Sequence, residues 1–80
     1  DQIRRAVISV PANIAEGMGR TSTKEQKHFL EISYGSLMEI QCHLDIATEL
    51  AYISKEEYNV ANAYIHRLAN MINKLHALRR

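Results

Sequence analysis

One cysteine, Cys42, stands in the whole chain. It excludes an internal disulfide and any multi-cysteine metal site, and a reducing cytoplasm is the simplest compartment for it. Tryptophan is absent and phenylalanine occurs once, so the core must be aliphatic, with the tyrosines at its edges. One proline and three glycines leave few breakpoints. No apolar run approaches the ~18 residues that cross a bilayer, and no signal-peptide pattern is present, so no membrane partner is expected. No Asp or Glu follows Glu57, whereas the same stretch carries Arg67, Lys74, Arg79 and Arg80 with His66 and His76. The C-terminal third is thus a basic helix inside a chain whose net charge is only +1, and a polyanion contact would begin there.

What is present is ordinary globular material. Eighty residues, 46% of them apolar, allow one domain of modest core. The chain opens at Asp1 without Met and in helical sequence, which reads as a fragment or a trimmed product. Ile3, Val7, Val10 and Ile14 recur at helical spacing and predict a first helix over Gln2 to Met18. Pro11 inside it predicts a kink, because proline lacks the amide donor and crowds the carbonyl of Val7. Gly17 and Gly19 should end it through left-handed backbone.

Ser22 with Glu25 reads as a capping box opening a second helix that runs to about Tyr52. One stripe of that helix is Leu30, Ser33, Leu37, Ile40, Leu44, Ala47 and Ala51. A second lies beside it: Ile32, Ser36, Glu39, His43, Ile46, Leu50 and Ile53. Two adjacent stripes give a face wide enough for more than one neighbour, the pattern of a bundle interior. Ser54 and Glu57 form another capping box, with Ile53 and Tyr58 placed for a hydrophobic staple. The third helix runs from Lys55 towards the C-terminus on Tyr58, Ala61, Ile65, Leu68, Ile72 and Leu75. Val60, Tyr64, Met71 and Leu78 widen its apolar side. Short connections between long helices make neighbours antiparallel. The expected fold is therefore all-α, an antiparallel up-and-down four-helix bundle in one domain, residues 1–80, with three helices present. The fourth would be an upstream helix or a helix of another subunit.

The segment from Gln2 to Gly17, Q-I-R-R-A-V-I-S-V-P-A-N-I-A-E-G, resembles the four helix bundle protein family, whose founding members are encoded in intervening sequences of bacterial 23S ribosomal RNA genes. Phe29-Leu30 and Gly35-Ser36-Leu37-x-Glu39 resemble its second signature. The resemblance covers essentially the whole chain, with Val10 where the family usually has Ile and Ser33 where a small apolar residue is common. It implies a four-helix bundle whose first helix lies upstream of Asp1, assembled as a ring-like homopentamer. A related protein, the accessory variability determinant of diversity-generating retroelements, uses a basic pentameric barrel to engage nucleic acid and a reverse transcriptase. No cofactor is implied.

Arg5, Ser9, Asn13, Glu16 and Arg20 form a polar stripe on the first helix, and Ser36 and Glu39 interrupt the second seam of the next. A buried carboxylate requires a partner, so Glu39 is expected to pair with Arg4 or Arg5, and Asn13 to bond backbone or Ser36, as a structural network. Gly35, with Ser33 and Ser36, is expected to allow close approach near Ala12 and Ala15. Glu25 to His28 has the Glu-x-x-His spacing of a di-metal bundle but occurs once, and no metal is expected. His43 reads as a seam histidine. Arg67, Lys74, Arg79 and Arg80 are the candidate nucleic-acid contacts; the plainer reading, which explains most such patterns, is a solvated face with Arg79 and Arg80 complementing the helix dipole. No nucleophile with an oriented base is visible, so the chain reads as non-enzymatic: an oligomer associating with RNA or DNA, or a scaffold for a nucleic-acid enzyme. The alternative is a purely structural protein–protein module.

Overall fold

A computed structural model describes residues 2–79, with side chains over residues 8–79. The chain folds into α1 (Gln2–Met18), α2 (Thr23–Glu49) and α3 (Lys55–Ala77), and no strand occurs among the described residues. Periodicity places all three helices, and α1 holds its expected bounds with Pro11 inside an uninterrupted helix.

The ends are set by caps. The Ser22 hydroxyl accepts the Glu25 N–H at 3.3 Å, which opens α2. The reciprocal half of that expected box does not form, because the Glu25 carboxylate lies 3.7 Å from Arg20 instead. At Ser54 both halves form: the hydroxyl accepts the Glu57 N–H at 3.0 Å, and the Glu57 carboxylate accepts the Ser54 N–H at 2.9 Å. α2 ends three residues before the expected Tyr52, at Glu49. There the Tyr52 N–H donates to the Ala47 carbonyl at 2.9 Å and the Ala51 N–H to Thr48 at 3.0 Å, the paired bonds of a Schellman motif. Its left-handed residue is Ala51, with φ 60°. No glycine among the described residues has positive φ, so Gly17 and Gly19 do not end α1 in the expected way.

Among the described residues α1 and α3 each pack against α2 and not on one another. Ser9 meets Ser36 while Gly17 faces Phe29, and Gln41 meets Tyr58 while Glu31 meets His76; positions rise along one helix as they fall along the other, so each seam is antiparallel. The Cα trace measures 44 × 23 × 13 Å, a thin layer with α2 in the middle. Among the described residues the core comprises Val10 from α1, Leu30 and Leu37 from α2, and Ile65, Ala69 and Ile72 from α3. The first stripe of α2 supplies this core as expected, with Leu30 and Ser33 both fully buried. The second stripe does not: Ile32, Ile46 and Leu50 are exposed, Ile46 by 51%. With three helices in one layer, the outer side of α2 has no neighbour to face.

Candidate docking groove and basic face

The face of the layer that the first stripe of α2 lines is an apolar trough between α1 and α3. It encloses about 580 Å³, walled by Pro11 and Ile14 on α1 and by Tyr64, Leu68 and Met71 on α3, with Leu37 and Ile40 as its floor. Past Tyr64 it continues into a depression beside Glu56, Glu57, Val60 and Ala61. Val60 is 61% exposed and Tyr64 59%, although both widen the apolar side of α3. Side chains that a closed bundle would cover therefore lie open along the trough.

The basic candidates divide. Arg67 is exposed, and its guanidinium lies over the Tyr64 ring, 5.3 Å from the centroid, a cation–π contact. Lys74, seven positions on, is exposed; neither it nor Arg67 meets a carboxylate among the described residues. Arg79 is not available in the same way. Its Nε donates to Gln26 Oε1 at 3.1 Å, one terminal nitrogen to the Leu75 carbonyl at 2.7 Å, and the other to the Met18 sulfur at 3.1 Å. It ties the ends of α1, α2 and α3 together. Arg80 lies outside the described residues. His76, on the same helix, bonds Glu31 at 2.8 Å. This pair lines a small depression with Tyr34 and Asn73. His66 and Asn70 remain exposed.

The polar stripe of α1 forms a network at the α1–α2 seam, smaller than expected. Ser9 and Ser36 hydroxyls meet at 3.0 Å. The Asn13 amide donates to the Ser9 carbonyl at 2.8 Å and to its hydroxyl at 2.9 Å. Glu16 pairs with Arg20 on the surface, and the Arg20 guanidinium sits 5.0 Å from the Phe29 ring centroid. Glu39 is half exposed and lies 3.7 Å from His43, so no buried charge has to be matched there; the side chains of Arg4 and Arg5 lie outside the described residues. Sequence spacing set Ser33 in the core stripe, where it is buried, but gave it no part in the polar network. Its hydroxyl is within 3.2 Å of the Val10 carbonyl and 3.1 Å of the Phe29 carbonyl. A small polar residue inside an otherwise apolar stripe was the available signal.

Gly35 does not provide close approach: nothing lies within 4 Å of the position a Cβ would take. Gly17 does. A Cβ there would stand 2.9 Å from Phe29 Cβ and 3.4 Å from the Gln26 carbonyl. The missing side chain is what lets α1 settle on α2.

Among the described residues no group of three or more His, Cys, Asp or Glu side chains could hold a metal ion, and no helix is long and apolar enough to cross a membrane. No curated protein matches the chain. The 23S rRNA-intervening sequence protein family model matches residues 1–74, a span that includes the trough and the α1–α2 network described above. This chain belongs to the 23S rRNA-intervening sequence protein family.

Proposed function

We propose that the chain is a non-enzymatic module of a four-helix bundle, assembled with further copies of itself in the cytoplasm, that contacts RNA or DNA through α3. The observation that carries this reading is the position of Arg67 and Lys74, exposed on α3 at the edge of an uncovered apolar trough. The trough accepts the fourth helix. The cations stay outside it, and a ring of copies, pentameric as the family resemblance implies, repeats them into a basic surface that holds phosphates. A reverse transcriptase or similar nucleic-acid enzyme is the kind of partner such a surface would serve. The lack of an acidic residue after Glu57 supports the same end of the molecule, because phosphate is not repelled there. Against catalysis stands the setting of the two His–carboxylate pairs among the described residues, His76 with Glu31 and His43 with Glu39: no hydroxyl or thiol hydrogen-bonds to either pair there.

Retention of single-stranded RNA and duplex DNA across a salt series tests the reading. Binding should fall steeply with salt, and Arg67→Glu with Lys74→Glu should weaken it and lower the salt slope by about one per cation removed. Arg79→Ala should act mainly through stability, because that side chain is already engaged. No retention at low salt would overturn the nucleic-acid reading. The apolar trough favours one other function, a scaffold that binds only protein; capture of a partner that ignores salt would support it.

A further inference from the structure

The depression between α2 and α3 shares no residue with the trough. It encloses about 240 Å³ over a floor of Leu30 and Ile72, both buried. Glu31, Tyr34, Asn73 and His76 complete its lining. An apolar floor edged by a carboxylate, a phenol, an amide and an imidazole suits one flat ligand with a polar edge. His76 donates to one Glu31 carboxylate oxygen at 2.8 Å and so fixes the position of that group. An ionised carboxylate has about four acceptor sites and no donor, so Glu31 keeps room for two more donors. Lys24, Lys27, Glu31 and Tyr34 recur at intervals of three and four residues and share one face of α2. Two ammonium groups therefore lead up to the depression from the start of that helix. Neither meets a carboxylate among the described residues.

Resting on the nucleic-acid reading above, we propose that this depression takes one unpaired guanine of a single-stranded RNA whose backbone runs over Lys24 and Lys27. The acceptor-only carboxylate selects the base. Guanine presents two adjacent N–H donors on its Watson–Crick edge, and both can bond Glu31. Adenine and cytosine set one donor beside an acceptor there, and uracil sets one donor between two acceptors, so each turns a lone pair towards the carboxylate. Asn73 carries donors that suit the neighbouring guanine carbonyl. Leu30, Ile72 and the Tyr34 ring supply the apolar and aromatic surface on which a base rests. The edge that Glu31 reads is occupied in a duplex, so the partner is a single strand. The lysines hold phosphate and carry no base preference; Glu31 carries the preference.

Short oligouridines with one central guanosine, inosine, adenosine or cytidine, titrated into the chain at low salt and read by fluorescence anisotropy, test this. The guanosine RNA should bind about 5- to 10-fold tighter than the others, the lower end of what one paired base contact gives. Inosine lacks the second donor and should fall with the rest. Glu31→Gln should erase the guanosine preference and favour adenosine, because an amide offers one donor and one acceptor. Lys24→Ala with Lys27→Ala should weaken all four RNAs alike and keep their order. Free guanosine monophosphate should compete far less well than the guanosine RNA. Equal binding of the four RNAs, with retention still falling steeply with salt, would overturn the inference and leave the nucleic-acid reading standing. A guanosine preference that survives Glu31→Gln, or competition by the free nucleotide as strong as by the RNA, would also overturn it. If no RNA is retained and duplex DNA is not retained either, both fail.

Discussion

α1 meets α2 through small residues and backbone, whereas α3 meets α2 through aliphatic bulk with polar groups at either end. On the first seam Gly17 faces Phe29, Ser33 reaches the Val10 carbonyl, and two serine hydroxyls touch. On the second, Leu30 and Leu37 are buried with Ile65 and Ile72. Tyr58 donates to Asp45 at 2.7 Å at one end, and His76 and Arg79 bond Glu31 and Gln26 at the other. The first seam is fixed by how close two backbones come, so it should resist added atoms. The second is fixed by filled volume, so it should resist removed ones.

The largest expected effect is therefore on the second seam. Ile72→Ala should cost about 3 kcal/mol, read from the urea midpoint, because Ile72 is only 1% exposed and its loss leaves a cavity. That is a large share of the stability of so small a domain. Gly17→Ala should break the first seam. The methyl group meets Phe29 Cβ, which cannot swing away without moving its helix, and the net loss should be about 1–2 kcal/mol after the helix-propensity gain of alanine. Gly35→Ala reverses the sign: with open space around it, the substitution should stabilise by about 0.5–1 kcal/mol. If both glycine variants shifted the midpoint in the same direction, the contrast between close approach and open surface would be wrong.

The smallest effects belong to the polar groups near the α2–α3 connection and appear in pH. The Ser54 backbone N–H, and then its hydroxyl, hold the Glu57 carboxyl below the ordinary carboxylate range. A depressed folded value means the cap stabilises fully above about pH 4.3, the unfolded value, and loses this as pH falls through the folded value. Tyr58 shifts upward, first from its hydrogen bond to Asp45, then from burial and the Asp45 charge, with Gln41 opposing. Its contribution is whole below about pH 10 and fades as pH climbs through the raised folded value. Thermal melts against pH should show both limbs, the acid one flattened by Glu57→Gln and the alkaline one by Tyr58→Phe.

The helices were legible because their signals are local. Ser54 and Glu57 cap α3 as their spacing announces, and the stripe through Leu30 and Leu37 needs only a period to be found. The errors came where three-dimensional crossing decides. Gly35 looked like the contact glycine because it interrupts a helix, yet α1 crosses at Gly17. Glu39 looked buried because it falls in an apolar stripe, but a single layer leaves that stripe outside. Ala51 in a left-handed conformation carries no mark in the sequence, since Gly or Asn is the usual resident. Of the basic candidates, charge alone could not separate Arg67 and Lys74 from Arg79, whose donors are turned inward by Gln26, Leu75 and Met18.

The claim on which the rest depends is that the face between α1 and α3 stays open in the isolated chain. Thiol labelling of Met71→Cys in a Cys42→Ser background, at a dilution where the chain is monomeric, tests it most directly. The open trough predicts labelling nearly as fast as in the unfolded chain. A thiol protected in the bare monomer as well as one placed at Ile72 would mean that α1 and α3 close on each other, and the trough would not exist.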